Sequence, residues 1–519
     1  MKSAGLVGDV ATTRQSAVLS EDDEDMAAKK QFCNKFIVLL VVGLLLAILG
    51  AILFPIVDHL VTEQIKKKVI ISNKSELYEV WQDIPVPVYM QFYFFHVYNV
   101  EEIKAGQKPF VAERGPYTYR ERRVKFNIVW NPNGTVTYRQ NRTFYFIPEM
   151  SVGTEADLIT TINPLMATLA QSFQWFPTGL KKAISIVMAV MTGDTMFTTR
   201  PVIELLWGYD DPSLVKLKNL VPWFIKSTNI GYFIGRNYTD DGLYTVSTGE
   251  ADIGQLGKVQ LFNGERDVKI WTTEWARMVN GTDGSLGPPF AFEKKETFAF
   301  VSDLCRSIRG VYRGDASVQD IALRRYGGDS SDMANASVNP DNIGFCVPQT
   351  KCLPSGLLNG TLCQKPVNGF SVPLIFSFPH FFNSDPEVID SVYGMHPNKE
   401  EHDTLIDIEP WTGLVLQVAK RLQVNMFVEK VDGFIQTANI KPVYFPIFWL
   451  NESSVTDDKH ANMLKNQLFT PLLVVKIAEI ALLSIGGLLI VIGAGLLLRQ
   501  YLKRRNSKPN IPQEIEVSV

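Results

Sequence analysis

Hydrophobic and polar residues follow three different rhythms along this chain, each in its own stretch. Phe36–Val57 holds no charged residue over 22 positions, and Ile480–Leu498 holds none over 19. At about 1.5 Å per residue either run can cross a hydrocarbon core of about 30 Å, so a transmembrane helix is expected at 36–57 and another at 480–498. The first run is too long for a signal peptide, has 35 residues before it and is followed by no small-residue cleavage site; an uncleaved signal anchor is the expectation. Pro55, near its far end, suits a kink or a helix exit at the interface.

Between these runs the second rhythm, alternation, dominates. Val124, Phe126, Ile128 and Trp130 alternate with polar residues, Asn131-Pro132-Asn133-Gly134 reverses the chain, and Val136 and Tyr138 resume the pattern. That predicts a β-hairpin with Asn133 at its tip. Strand character also marks 86–100, 258–262, 372–376, 414–418 and 423–428, with Gly and Pro as punctuation. The third rhythm, helical spacing, occupies about 156–207, including Leu180–Met196 and its stop near Gly193. Residues 58–479 are therefore expected to form one α+β unit, β-rich with a helical cluster at about 155–230. Residues 1–35, with the acidic run from Glu21 to Asp25, show no packing period and are expected to be a disordered tail, and residues 499–519 are expected to form a second tail.

Charge and cysteine usage orient this frame. Arg499, Lys503, Arg504 and Arg505 crowd the end of the second apolar run, which points that tail to the cytoplasm and, with two crossings, the N-terminal tail too. Lys66, Lys67 and Lys68 dilute the signal at the first run. Eight Asn-X-Ser/Thr sites, at Asn73, Asn133, Asn141, Asn237, Asn280, Asn335, Asn359 and Asn451, all lie between the runs, on the glycosylated side. Four of the five cysteines, Cys305, Cys346, Cys352 and Cys363, lie there too; an oxidising compartment would pair them, with three connectivities open. Cys33, beside the membrane, is a candidate for palmitoylation.

Candidate chemistry adds little. A net charge of −3 without a basic aromatic stripe sets nucleic acid aside. Phosphate loops, HExxH and GxSxG are absent. His396 and His402 do not have the i, i+4 spacing of a helical metal pair and are expected in a turn. Asp240, Asp241 and Glu250 lack the pattern of a calcium loop and are expected on the surface. No catalytic centre, metal or cofactor is nominated.

Several unlinked stretches resemble the class B scavenger receptors: Gly115-Pro116-Tyr117-Thr118-Tyr119-Arg120-Glu121, Leu205-Leu206-Trp207-Gly208-Tyr209, Asn280-Gly281-Thr282-Asp283-Gly284, Cys305-Arg306-Ser307-Ile308, Phe378-Pro379-His380-Phe381, Asp407-Ile408-Glu409-Pro410 and Trp449-Leu450-Asn451-Glu452. The resemblance implies a barrel-like antiparallel ectodomain, a helical bundle at its membrane-distal apex and an apolar tunnel carrying lipid toward the bilayer. It implies a cell-surface receptor for lipoproteins, fatty acids or other lipids. The alternative it offers is a lysosomal membrane receptor that sorts a protein partner bound at the apex or exports cholesterol; homo-oligomerisation is left open. By resemblance to the lysosomal branch, Cys305 would pair with Cys363 and Cys346 with Cys352. Ala276 stands where family members often carry a further cysteine. Lys181 and Lys182 resemble apical lysines that attract anionic ligands, whereas Gly179 stands near the place of a histidine that serves the lysosomal branch as a pH switch. The tails carry no dileucine signal, so the plasma membrane is the first expectation and the lysosomal membrane the second.

Overall fold

The computed structural model describes residues 9–75, 77–193, 195–223, 225–364 and 366–506, with backbone alone at 9–33, 191, 192 and 504. It divides into two units: Ile65–Asn462, and the terminal segments up to Gln64 and from Met463.

The larger unit is built on a 13-stranded antiparallel sheet. Its strands are β1 (Val88–Val97), β2 (Val111–Asn131), β3 (Thr135–Phe146), β4 (Thr239–Ser247), β5 (Val259–Phe262), β6 (Glu296–Val301), β7 (Arg306–Val318), β8 (Ile321–Gly328), β9 (Leu357–Asn359), β10 (Leu374–Ser377), β11 (Leu405–Ile408), β12 (Val415–Val428) and β13 (Val443–Val455). The spatial order is β6-β7-β8-β11-β12-β13-β1-β2-β3-β4-β5, with β10 joining β9 to β12. The two outer strands nearly meet. Val259 of β5 donates to Gly281 and Phe300 of β6 donates to Thr282, so the segment 281–282 stitches one edge to the other and satisfies backbone groups that an open edge would expose.

Alternation places the core. Met90, Phe92 and Phe94 of β1, Tyr117 and Tyr119 of β2, and Phe445, Ile447 and Phe448 of β13 are buried. Phe92 meets Phe233 and Tyr119 edge-on at 5.0 and 5.7 Å between centroids, the geometry that ring quadrupoles favour. The register between β1 and β2 shifts between Phe92 and Phe94. Gly115 fits that shift because a Cβ there would lie 2.7 Å from the Phe92 carbonyl oxygen.

The expected hairpin is present as β2 and β3, with Asn133 exposed in the turn. The stretches 414–418 and 423–428 form one strand, β12. Within the expected helical region, Leu158–Ile162 pairs with Phe197–Pro201 as a small antiparallel ribbon. Around the ribbon lie α2 (Pro164–Phe173), α3 (Thr178–Thr192), α4 (Val202–Trp207) and α5 (Pro212–Leu220).

In the terminal unit, α1 runs Asp9–Val69 and α6 runs Thr470–Asn506. Both contain a stretch long and apolar enough to cross a membrane. Helix α1 exceeds its expected span at both ends: the acidic N-terminal segment is helical from Asp9, and Pro55 lies inside the helix rather than at its exit. Helix formers such as Ala, Glu, Lys and Gln fill 21–32 without a proline, and apolar helices tolerate an internal Pro. The two helices pack through small residues. A Cβ on Gly486 would lie 2.7 Å from the Ala47 amide nitrogen, and one on Gly50 would lie 2.9 Å from the Leu483 side chain, the close approach that small residues permit. The Cys33 side chain and the tail beyond Asn506 lie outside the described residues.

Candidate functional site

The helices around the ribbon are set by local capping. Asn163 caps α2, its Oδ1 accepting from Leu165 and Met166 N–H at 3.0 and 3.3 Å, with Pro164 in the first turn. Asp211 caps α5 in the same way, accepting from Ser213 and Leu214 N–H, ahead of Pro212. Such side chains satisfy amides that the first turn leaves unpaired. Gly193 ends α3 at φ +66, a left-handed conformation suited to glycine.

So fixed, the helices wall a cavity of about 960 Å³. Leu165, Leu169 and Phe173 line it from α2, Ile184, Val187 and Met188 from α3, and Leu217 and Val221 from α5 and its end. Phe370, Val372 and Leu374 line it from the chain entering β10. This is the size and apolar character of a small-molecule site.

One end of the cavity is polar and closed by charge pairs. Arg139 meets Asp240 at 2.7 Å, and Arg236 meets Asp303 at 2.8 Å. Asp303 also takes Arg142 at 3.1 Å. Burial pushes the Asp303 carboxyl up, but Arg142, Arg236 and Lys420 outweigh it and hold it well below the usual carboxylate range. Asp241, expected on the surface, is instead largely buried. It accepts from Arg142 at 2.5 Å, Ser302 at 2.6 Å and Tyr244 at 2.8 Å. Acidic residues in sequence looked solvated because their cationic partners lie about a hundred positions away.

Cys305 is bonded to Cys363 beside this end, and Cys346 to Cys352. Ala276 is buried on the short helix Glu274–Arg277. The two lysines of α3 part company. Lys181 is buried, its Nζ donating to the Gln174 carbonyl at 3.3 Å, whereas Lys182 is exposed. Gly179 sits in the first turn of α3, with no atom near where a Cβ would stand.

Around the cavity the helical region presents apolar surface to solvent. Trp175 and Trp223 are 76% and 77% exposed and Val190 80%; Phe176, Leu180, Ile186, Val187 and Leu220 are exposed beside them. Among the sequons, Asn73 and Asn133 are exposed, and Asn141, Asn237, Asn280, Asn335, Asn359 and Asn451 are half-buried. Asn335 donates to the Leu353 carbonyl and Asn451 to Gln91.

Two terminal apolar helices and one large, near-closed antiparallel sheet carrying a helix-walled cavity define the class of protein. The chain belongs to the CD36 family, whose model matches residues 41–497. It is 39% identical to lysosome membrane protein 2 of Rattus norvegicus over 423 residues, 81% of this chain and 86% of that one. The human protein of the same name is 39% identical over 426 residues, 81% and 86% of the two chains. Scavenger receptor class B member 1 of Rattus norvegicus is 37% identical over 453 residues, 87% of each chain.

Proposed function

We propose that this chain is a membrane-anchored lipid receptor: it takes lipid or lipoprotein ligands at the helical apex, holds their apolar part in the cavity, and passes lipid through the sheet unit to the membrane. The observation that carries the reading is the cavity of about 960 Å³ ringed by exposed apolar residues. Val187 belongs to both features, lining the cavity while about half exposed. Burying apolar ligand surface is worth roughly 25 cal/mol per Å² before ordering costs. Charge favours anionic headgroups: residues 158–193 contain the exposed Lys182 and no acid, and 212–226 contain Lys216, Lys218 and Lys226 and no acid. In the same reading both termini are cytoplasmic, residues 58–479 are extracellular or lumenal with glycans at the sequons, and no bond is broken.

The likeness to lysosome membrane protein 2 supports the alternative, a lysosomal membrane receptor whose apex carries a protein partner or which exports cholesterol. Binding of a fluorescent fatty acid and a fluorescent sterol to the full chain in nanodiscs tests the main reading. The expected result is saturable binding that Ile184→Trp, which fills the cavity, reduces about tenfold or more, equal to about 1.4 kcal/mol. Binding unchanged by that substitution, or absent for both probes, refutes it.

A further inference from the structure

Three of the six histidines converge from two separate segments just past β10. His380 is buried on the corner that follows the strand. Its ring stacks on His402 at 4.5 Å between centroids and 13° between planes, and the His396 ring stands 6.5 Å away. Backbone amides fix the state of two rings: His396 N–H donates to His380 Nδ1 at 3.1 Å, and Asn398 N–H donates to His402 Nδ1 at 2.9 Å. An amide can only donate, so each Nδ1 accepts and each ring is neutral with its proton on Nε2. His380 Nε2 donates to Glu113 Oε2 at 2.7 Å, and Trp449 Nε1 donates to the same oxygen at 2.6 Å.

The corner these bonds hold is strained. His380 and Phe381 take φ values of +52 and +57, left-handed backbone that bulky residues rarely adopt. The His380 N–H is tied to Gln423 Oε1 at 2.6 Å. The charged and titratable groups around the rings are Tyr93 from β1, Glu113 from β2, Arg421 from β12 and Glu401 beside His402. Burial, and then the neighbouring His380, lower His402 to about 4; Arg421 adds to this and Glu113 opposes it. Burial pushes Glu113 up, but the hydrogen bonds from His380 and Trp449 prevail and keep it low.

We propose that this cluster is an acid-sensitive latch at the corner that follows β10, closed while the His402 ring is neutral and released when it is protonated. A proton added at His402 Nδ1 would face the Asn398 N–H that donates to it, so the bond holding the 396–402 loop is lost. Phe370, Val372 and Leu374 line the cavity on the segment that runs into the corner through β10. The consequence for lipid therefore rests on the receptor reading, while the latch itself does not. The sign follows from linkage: a histidine near 6.5 when unfolded and about 4 when folded supports the fold fully above about pH 6.5 and loses that support as pH falls toward 4.

Hydrogen–deuterium exchange of the full chain in nanodiscs, corrected for the intrinsic pH dependence of exchange, tests the latch. Peptides covering 374–403 are expected to lose protection by about tenfold or more between neutral pH and about pH 4, one pKa unit of linkage being tenfold, while β1 and β2 keep theirs. His402→Gln, which can accept the Asn398 N–H without titrating, is expected to flatten this response. Glu113→Gln is expected to move it to lower pH, because the carboxylate favours protonated rings. Equal protection at both pH values, or a wild-type response in folded His402→Gln, overturns the latch; the wild-type comparison decides even where a variant does not fold. Release of a bound fluorescent fatty acid then tests the link to the cavity. Faster release at low pH in the wild type but not in His402→Gln supports it, and an equal rate overturns it. Failure of the probe to bind at either pH refutes the receptor reading and leaves exchange to decide the latch.

Discussion

Strand β13 and helix α3 draw on the same apolar residues and put them in opposite places. In β13, Phe445, Ile447 and Phe448 are wholly buried against the aromatic interior. In α3, Leu180, Ile186, Val187 and Val190 face solvent, while the residues turned inward include Lys181 and Ser185. Ser185 Oγ donates to Gln436 Oε1 at 2.5 Å and accepts the Ile435 N–H at 2.8 Å. The helix docks by a polar contact and keeps much of its apolar face free. A helix that only completed a core would do the reverse. The sheet is thus where the apolar side chains are buried, and α3 is where they are left exposed, the surface that the proposed receptor reading assigns to a ligand.

That division predicts unequal losses. Phe448→Ala removes a ring packed against Phe92, Phe94 and Tyr232 and is expected to cost about 3–5 kcal/mol of unfolding free energy. Val190→Ala is expected to fall within about 0.5 kcal/mol of wild type. Denaturant unfolding of the full chain in detergent checks both, and similar losses at the two sites would break the comparison.

The disulfides sharpen it within the sheet unit. Cys305–Cys363 closes a separation of 58 residues and Cys346–Cys352 one of 6. Loop-closure entropy puts the stabilisation at about 4 kcal/mol for the first and about 2 kcal/mol for the second. Paired Cys→Ala variants measured in the same assay should keep that order.

On α3 the expected effect moves from stability to binding. Val187→Asp with Val190→Asp should leave the melt unchanged and weaken binding of the chain to lipid vesicles about tenfold, or about 1.4 kcal/mol. A loss of stability without a loss of binding would make α3 an ordinary structural helix.

How much of this was legible in sequence depended on where each side chain finds its partner. The β2–β3 hairpin was legible because alternation and its turn are local. Strand β12 was seen only as two fragments, since Lys420, Arg421, Gln423 and Asn425 interrupt its apolar pattern. In the fold these residues pair with Glu452, the Asp403 carbonyl, the His380 amide and the Ile375 carbonyl. The cavity was not legible, because its lining comes from positions as far apart as Arg139 and Leu374. His396 and His402 were read as turn residues, whereas His402 ends the short helix Lys399–His402, and nothing local pointed to His380 or Glu113 as their neighbours. The ribbon of Leu158–Ile162 with Phe197–Pro201 was hidden between helices that separate its two strands by more than thirty residues.

The smallest expected effect separates two adjacent lysines. Lys181 has its ammonium on the Gln174 carbonyl, at the end of α2, so Lys181→Gln removes a buried hydrogen bond and is expected to cost about 1 kcal/mol of stability. Its effect on vesicle binding should be slight and independent of salt, because the charge is not presented to a ligand. Lys182 is exposed one position on, and Lys182→Gln should leave stability within about 0.5 kcal/mol. Its effect should instead appear as a roughly threefold slower association with anionic vesicles at low salt, vanishing near 1 M where the Debye length is about 3 Å. Stopped-flow association over a salt series resolves the two. A salt-dependent defect in Lys181→Gln and none in Lys182→Gln would assign the electrostatic role to the buried lysine, and with it overturn the proposed division between a stabilising interior and a recognising surface on α3.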